Sequence, residues 1–392
     1  MNVPRYDVVI VGGRCAGAAT ATLLSRMGLR VLVLDRSRYG GDTVSTHALM
    51  RGGVMQLSRL GLLDAVVAAG TPPVHRAVFH YPEDTTRITL KPSAGVDALY
   101  APRRTVLDPI LVDAARQAGA DVRFGVSVAG LLHDDDGRVT GVVAGDERGR
   151  PLTVRAGLVV GADGVRSGVA RAVGSSAIWT ADGSGSAVLY GYWDALPAEG
   201  YEWYYGPGGA AGLIPTNSGQ TCVFVGTTPE RMKAARAGGT WPGFWSVLDS
   251  LSPSLRERLA ASRPPRRLHG FAGTPGFLRQ SWGPGWVLIG DAGSFEDPLS
   301  THGLTDALRD AVLVSEAIGE MRSGRLTEAD ALARYQATRD ALALPLLRVV
   351  ATIASFRWTL DDLRRLLRES SSAMSEQLEA LHGDGPRELT HR

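Results

Sequence analysis

The sequence has few of the features that would assign it to a membrane, a metal or a nucleic acid. No apolar run approaches the ~20 residues of a membrane-spanning helix, and the start lacks the basic and apolar regions of a secretory signal. Two cysteines, Cys15 and Cys222, cannot build a disulfide framework, and the eight histidines show no zinc-ligand spacing. A net charge of +2 gives no support for a nucleic-acid partner. We therefore expect a soluble, cytoplasmic protein with reduced thiols and no membrane span.

What is present begins with a glycine-rich turn. Gly12-Gly13-Arg14-Cys15-Ala16-Gly17 follows a strand-like run and opens a helix of small residues, and Asp35 ends a second apolar run about twenty residues later. This order is typical of a βαβ unit that binds an adenine dinucleotide, because glycines let the backbone approach a pyrophosphate and the acid accepts from ribose hydroxyls. A tight-packing turn is the alternative, and the spacing to the acid favours the cofactor site. Cys15 is expected to be a small packed residue.

Arg14 takes the place of the second motif glycine. Its side chain is therefore expected to point away from the pyrophosphate or towards a phosphate oxygen.

The order of elements predicts an interleaved α/β architecture. Patterns of the dinucleotide-binding type alternate with strand-rich aromatic segments, and the C-terminal part is helical with an interruption expected at Pro345 and a frayed tail from Gly383. We predict a Rossmann-like βαβ domain, an inserted β-sheet substrate domain and a C-terminal helical segment. The first domain is assigned to 1–72, 100–175 and 276–325, the second to 73–99 and 176–275, and the helical segment to 326–392.

Two further acids stand at strand ends. Asp163 follows a buried run in Gly161-Ala162-Asp163-Gly164, and Asp291 follows another. A carboxylate at such a turn caps the next helix or accepts from a ligand hydroxyl, and for Asp163 both interpretations stay open. Beyond Asp291, Gly303 and Leu304 open a helix whose N-terminus can stabilise an anionic ring oxygen.

These motifs, in this order, resemble the FAD-dependent aromatic hydroxylases, which are single-component flavoprotein monooxygenases. Geranylgeranyl-reductase-like enzymes and flavin halogenases are related branches. The resemblance extends over residues 6–321. It rests on the glycine motif, on Asp163-Gly164 with Arg166 and Ser167, and on the stretch from Gly290-Asp291 through Pro298 to Gly303.

The resemblance implies FAD as cofactor and assigns residues to its parts. The ADP half of FAD is assigned to Gly12, Gly13, Ala16 and Asp35. Arg104 is assigned to the pyrophosphate or the flavin ring, and Asp291 to the ribityl chain and pyrophosphate. Gly303 and Leu304 are assigned to the pyrimidine edge of the flavin, and Asp163 to both ribose binding and the NAD(P)H passage. The other cofactor-binding candidates are Arg14, Cys15, Gly17, Arg36, Thr46, Val128, Gly290 and Pro298.

The resemblance also implies a reaction. NAD(P)H reduces FAD, dioxygen adds to the flavin to give a C4a-hydroperoxide, and one oxygen atom passes to the substrate. The aromatic stretch around Trp203 favours an apolar, aromatic or polyketide-like small molecule, although such residues are also typical of a sheet core. His302 and His47 are the candidate catalytic residues, as hydrogen-bonding or acid–base groups beside the flavin, and a structural role is the alternative for each.

Other activities share these motifs. A reductase of the geranylgeranyl type would reduce double bonds, and the motifs suit it equally. A halogenase is disfavoured because Ala210 and Gly212 stand where that branch carries tryptophans, before Ile214-Pro215. A flavin-binding protein that has lost its catalytic step is the non-enzyme alternative. The sequence leaves the choice between NADH and NADPH and the oligomeric state open.

Overall fold

The computed structural model describes residues 3–383, which form three sheets flanked by helices. The strands are β1 (Arg5–Val11), β2 (Val31–Asp35), β3 (Arg76–His80), β4 (Thr85–Thr89), β5 (Asp121–Phe124), β6 (Val126–His133), β7 (Val139–Asp146), β8 (Pro151–Gly161), β9 (Ala177–Thr180), β10 (Ala187–Asp194), β11 (Tyr201–Gly206), β12 (Gly209–Pro215), β13 (Gln220–Thr227), β14 (His269–Phe271), β15 (Phe277–Arg279), β16 (Trp282–Gly283), β17 (Trp286–Leu288) and β18 (Ser294–Phe295). The helices are α1 (Cys15–Arg26), α2 (Arg51–Arg59), α3 (Leu63–Ala68), α4 (Arg104–Gln117), α5 (Gly168–Ala172), α6 (Pro229–Ala235), α7 (Thr240–Asp249), α8 (Pro253–Ala260), α9 (Gly303–Arg322), α10 (Glu328–Ala354) and α11 (Leu360–Gly383).

The largest sheet has a parallel centre, in the order β17-β8-β1-β2-β5. Its strands are near-continuous apolar runs because both faces are covered. Val8 and Ile10 pack on the face that carries α1, α4 and α9, whereas Val9 and Val11 pack on the other face. The antiparallel strands β7 and β6 extend the sheet from β8. The parallel strands therefore end together beside the first turns of α1 and α9.

The second sheet has seven strands in the order β14-β10-β13-β12-β11-β3-β4. Alternation along β11 sends Trp203 and Tyr205 to one face and Tyr204 to the other, where α7 and α8 pack. Strands of this sheet come from stretches of chain that lie between elements of the first sheet. The predicted α/β fold with an inserted sheet is thus confirmed, while the exact domain boundaries stay a prediction. The third sheet joins β18, β15 and β9.

Two details of the helices differ from expectation. The apolar spacing from Val54 to Leu63 predicts one helix, but α2 and α3 are separate because Gly61, with φ +75°, breaks the chain between them. The expected interruption at Pro345 is wrong: α10 continues through that residue, and the break comes at 355–359, where Phe356 has φ +53°. The predicted frayed tail falls on residues outside the described part, apart from Gly383, which ends α11.

Among residues 3–383, no helix has both the length and the apolar character that crossing a bilayer requires.

Candidate active site

The glycine turn packs so closely on its neighbours that Gly12 can carry no side chain. Gly12 has φ +107°, and a Cβ there would lie 2.3 Å from the carbonyl oxygen of Ala162. Asp35 fixes the turn because its Oδ2 accepts from the Gly13 N–H at 2.7 Å, while its Oδ1 accepts from Ser37. The first turn of α1 receives no side-chain cap, so its backbone N–H groups are available to a ligand.

Arg14 points towards α4. Its Nη1 lies 3.1 Å from Asp108 Oδ2, and Arg104 donates to both oxygens of the same carboxylate at 2.9 and 3.1 Å. Burial alone would lower the pKa of Arg104, but Asp108, Cys15 and Asp291 around it raise the pKa. Arg104 therefore stays charged beside the glycine turn.

Cys15 is packed, as expected. Burial raises the pKa of its thiol to about 12, and Sγ lies 3.9 Å from the carbonyl oxygen of Leu304. The thiol therefore stays protonated and is a poor nucleophile.

Asp291 lies in a turn pressed against the start of α1. Gly290, with φ +55°, donates its N–H to Asp310 at 2.9 Å, and a Cβ on Gly290 would lie 3.2 Å from Ala16 Cβ. Within residues 3–383, the Asp291 carboxylate accepts no hydrogen bond. Burial raises the pKa of Asp291 to about 6, and Asp306 and Asp310 add to this effect while Arg104 opposes it. A largely buried acceptor without a donor fits a site that receives ligand hydroxyls.

His302 is a buried histidine at the start of α9. Gln377 donates its amide N–H to the Leu342 carbonyl at 2.8 Å, so its Oε1 faces His302 Nε2 at 2.9 Å and accepts from it. This leaves Nδ1 as an acceptor that has no partner among the described residues. Burial lowers the pKa of His302, although Asp306 and Gln377 oppose that shift. The neutral ring therefore offers an acceptor. The preceding residue, Thr301, has φ +55°, a conformation that favours glycine.

His47 is the second buried histidine. It has φ +68°, its Nε2 is hydrogen-bonded to the Tyr192 hydroxyl, and its Nδ1 has no partner in the described part of the chain. Burial lowers the pKa of His47 well below its usual value, and the charges of Arg104 and Arg103 add to this effect. Two neutral imidazoles thus each present one unsatisfied nitrogen, which points to ligand contact.

Asp163 caps a helix. Its carboxylate accepts from the Ser167 hydroxyl at 2.5 Å and from the Gly168 and Val169 N–H groups at 2.6 and 3.2 Å. In the structure the Asp163 side chain therefore caps the helix α5. Its backbone nitrogen still lies against the glycine turn, 3.1 Å from the place a Cβ on Gly12 would take.

The remaining candidates differ in how near they lie to this centre. Leu304 is buried in the first turn of α9, whereas Gly303 is exposed and has open space around its α-carbon. Pro298 opens the 3-10 turn that leads to His302. The other three make no side-chain hydrogen bond in the described region: Arg36 is exposed beyond β2, Thr46 is partly exposed beside His47, and Val128 lies in β6 opposite Ala144.

A cavity of about 480 Å³ lies between the seven-stranded sheet, the turn before α9, and helices α10 and α11. The described side chains that line it are mostly apolar and include Phe79, Trp203, Tyr205, Val350, Met374 and Leu378. Thr301 and His302 form part of its wall. The same turn therefore borders both the cavity and the first turn of α9.

Sequence reasoning missed several residues that build this site. Gln377 orients His302, and Ser370 lines the cavity with a buried hydroxyl that has no partner among the described residues. Arg309 pairs with Asp306 and Asp310 inside α9. Only the last had a readable signal, because three charges at i, i+3 and i+4 in an apolar helix indicate a buried network.

Comparison with known proteins identifies the family. A family model described as an FAD binding domain matches residues 5–349. The chain belongs to this family. It is 30% identical over 341 residues to digeranylgeranylglycerophospholipid reductase 2 of Methanothermobacter thermautotrophicus, covering 85% of this chain and 82% of that protein. Menaquinone reductase of Mycolicibacterium smegmatis is 27% identical over 338 residues, covering 83% and 78%.

Solved structures agree on the fold. PqsL of P. aeruginosa in complex with 2-aminobenzoylacetate has a TM-score of 0.79 at 22% identity, covering 95% of this chain and all of that one. The flavin-dependent brominase Bmp2 has a TM-score of 0.79 at 19% identity, covering 96% and 99%. The chain is accordingly an FAD-dependent oxidoreductase, as the sequence predicted.

The residues present fit FAD. The uncapped start of α1 behind Gly12 and Gly13 suits a pyrophosphate, and the open space at Gly303 leaves the N-terminus of α9 accessible. The Asp291 carboxylate has no hydrogen-bond donor among residues 3–383. These groups would hold the cofactor by hydrogen bonds to its phosphates and hydroxyls.

Asp291→Ala should have opposite effects on the FAD-free and FAD-loaded protein. The folded-state pKa is raised from 3.8 to about 6, so the folded state binds this proton more tightly than the unfolded state does. The group's contribution to stability is therefore lost as pH rises from about 4 to about 6. The substitution should raise the unfolding free energy of the FAD-free protein more at pH 8 than at pH 5, and weaken FAD binding by about 1–3 kcal/mol.

Urea unfolding at the two pH values and equilibrium dialysis with FAD measure these effects. The exposed acid Asp182 offers the matched control, Asp182→Ala, which should change neither quantity. An Asp291→Ala protein that holds FAD as tightly as the parent would remove Asp291 from the cofactor site.

Proposed function

We propose that the chain is an FAD-dependent monooxygenase that uses NAD(P)H and dioxygen to oxygenate an apolar small molecule, of aromatic or polyketide-like character. The observation that supports this most is the apolar cavity bordered by Thr301 and His302, one residue before the start of α9. A substrate there would lie next to the helix end that is open to the flavin. When bound, reduced FAD supplies the electrons that activate dioxygen.

The side chains around the cavity suit such a reaction. Phe79, Trp203 and Tyr205 exclude water from the substrate. The neutral His302 offers Nδ1 as an acceptor, so it can orient a substrate hydroxyl or take its proton. His47 is the second residue that we assign to cofactor or substrate contact, through its unpaired Nδ1.

His302→Ala should leave FAD bound and lower the product formed per NAD(P)H by about tenfold or more, because an oriented acid–base group is lost. The exposed His133 on β6 provides the control, since His133→Ala should leave coupling unchanged. Coupling is measured as product against NAD(P)H consumed. A His302→Ala enzyme with the parent's coupling and rate would reduce His302 to a structural role.

A reductase is the second candidate, and the sequence relatives favour it. The two curated relatives named above are both reductases, one of a digeranylgeranyl phospholipid and one of menaquinone. The apolar cavity would also accept an isoprenoid chain. In that reaction two electrons and two protons add across a double bond, and dioxygen is not consumed.

Turnover under ¹⁸O₂ separates the two functions. A panel of aromatic phenols, polyketide-like phenols and polyprenyl compounds is offered with NADPH and NADH, and products are analysed by mass spectrometry. Monooxygenation adds one ¹⁸O to the product for each NAD(P)H and O₂ consumed, with the other oxygen atom leaving as water. A product two hydrogens heavier, formed equally well without oxygen, would overturn the proposal in favour of the reductase.

A further inference from the structure

Glu296, directly after β18, is a buried carboxyl group without a partner. It is 7% exposed, and neither of its oxygens has a hydrogen bond of acceptable geometry within residues 3–383. The next residue, Asp297, is equally buried, but its carboxylate accepts from the hydroxyl and N–H of Ser186 and from the Leu299 N–H. A buried carboxyl group that no donor satisfies is costly as an ion, so Glu296 is favoured as the neutral acid.

The arginine that acts on Glu296 is already engaged. Arg309 on α9 donates to Asp306 through Nη1 and to Asp310 through Nε and Nη2. Two carboxylates against one guanidinium leave this buried group with a net negative charge. No positive charge therefore remains to balance an ionised Glu296.

The electrostatics of the turn agree with a protonated Glu296. Burial raises the pKa of Glu296 well above its usual value, and the charges of Asp306 and Asp297 add to this effect, whereas Ser300 and Arg309 oppose it. Glu296 thus keeps a proton under conditions in which an ordinary glutamate has lost it.

Ser300 connects this acid to the 480 Å³ cavity. Its hydroxyl faces the Glu296 carboxyl group, and the residue lines the cavity beside Thr301 and His302. The Ser300 oxygen accepts the His302 N–H at 3.0 Å, so one acceptor position and the O–H proton remain. The oxygen can therefore accept from protonated Glu296 while the hydroxyl donates into the cavity. The hydroxyl of Thr301 instead donates to the Ser300 carbonyl.

Both candidate reactions consume one proton for each NAD(P)H. In monooxygenation the proton ends in the water that carries away the second oxygen atom, and in reduction it adds to the double bond together with a hydride. His302 presents an acceptor to the cavity, because Gln377 holds the histidine proton at Nε2. The site therefore needs an acid besides His302.

We propose that Glu296 is the proton source of this site and that it acts through the hydroxyl of Ser300. The Ser300 O–H bond breaks as its proton passes to an atom of the ligand in the cavity, and the Glu296 O–H bond breaks as its proton restores the serine hydroxyl. Glu296 is left as a carboxylate and regains a proton from solvent before the next turnover. The inference rests on the proposed function for the step that consumes the proton, whereas the protonation of Glu296 and its contact with Ser300 need no substrate.

Infrared difference spectroscopy of the FAD-loaded protein at neutral pH tests the protonation. Glu296→Gln keeps the shape of the neutral acid, so we expect it to fold and to bind FAD. The parent-minus-variant spectrum should contain the C=O band of a protonated carboxyl group, which shifts in D₂O. Glu257 on α8 is exposed, so the control Glu257→Gln should remove only carboxylate bands. Loss of carboxylate bands alone in Glu296→Gln would overturn the proposal.

The same C=O band reports the contact between Glu296 and Ser300. Ser300→Ala should shift the frequency of the band, because the carboxyl group loses the hydroxyl that it faces. Ser371 lines the same cavity but is exposed on α11, so Ser371→Ala should leave the band in place. A band that Ser300→Ala does not move would refute the connection.

Flavin reduction and reoxidation separate a step that needs no proton from one that does. Hydride transfer from NADPH gives the anionic reduced flavin without a proton, whereas its reaction with dioxygen to oxidised flavin and hydrogen peroxide takes up one proton. In stopped-flow experiments Glu296→Gln and Ser300→Ala should each slow reoxidation by about tenfold and leave reduction unchanged. The double variant should be no slower than the slower single variant, because the two residues act in series. Parental reoxidation rates in both single variants would overturn the proposal.

Failure of the proposed function gives a different result. A parent protein whose reduced flavin does not react with air would reject the monooxygenase. The variants are then compared in the anaerobic reduction of a polyprenyl compound, which takes up the same single proton, and equal rates there would again overturn the role of Glu296. The infrared results decide the protonation of Glu296 and its contact with Ser300 in either case.

Discussion

Arg309→Met should lower the free energy of unfolding by about 3–5 kcal/mol. Arg309 is 1% exposed inside α9, where its guanidinium pairs with Asp306 and Asp310. Methionine fills a similar volume but leaves two buried carboxylates without a counter-charge. Asp310 also accepts the Gly290 N–H, so the turn that carries Asp291 should loosen as well. Urea unfolding of the FAD-free protein measures the change.

The control for this prediction is an exposed arginine on a helix. Arg365 on α11 pairs with Asp362 and Glu369 at the surface, so Arg365→Met should cost no more than about 0.5 kcal/mol. An Arg309→Met protein that loses less than about 1 kcal/mol would mean that the carboxylates are solvated or protonated without cost, contrary to the burial described above.

Gly17→Ala should reduce FAD affinity by about fivefold or more, corresponding to the 1–3 kcal/mol that overpacking costs. A Cβ on Gly17 would lie 1.9 Å from the Gly12 carbonyl oxygen, which is closer than any real contact. Since that oxygen is backbone, the clash can be relieved only by moving the glycine turn away from the start of α1. Fluorescence titration with FAD measures the loss of affinity, and thermal unfolding measures the loss of stability.

A control substitution at another helix glycine distinguishes this clash from the general effect of adding a methyl group to a helix. Gly319 lies in α9, and a Cβ there meets only Met27 at 3.7 Å. Gly319→Ala should therefore keep FAD affinity and gain up to about 1 kcal/mol from helix propensity. Equal FAD affinity in Gly17→Ala and Gly319→Ala would contradict the close packing of the glycine turn.

The sequence predicted the framework of the site because that framework is local. Gly17 is required by its close approach to the Gly12 carbonyl oxygen within one strand–turn–helix unit, and Asp35 follows at a fixed distance along the next strand. Such spacing can be read directly from one sequence. The identity of Asp291 as a turn acid after a buried strand follows from the same logic.

The cavity could not be predicted from the sequence because its wall is assembled from segments that are distant along the chain. Trp203 and Tyr205 line the cavity while Tyr204, between them, bonds to Glu202 on the other face. The aromatic stretch therefore serves both as cavity wall and as core. The face that lines the cavity is the one towards α11, whose position the sequence does not reveal. Gln377, which sets the His302 tautomer, is 75 residues away from it in sequence. A long-range pair of this kind leaves no periodic signal.

A visible absorption spectrum through one reductive and oxidative cycle tests the central claim most directly. The purified protein, reconstituted with FAD if necessary, is recorded before and after NADPH or NADH is added without oxygen, and again when air is admitted in the presence of an oxygen electrode. The account predicts flavin bands that disappear with the reductant and return as oxygen is consumed. A protein that cannot retain FAD, or whose bands stay unchanged with both reductants, would contradict it.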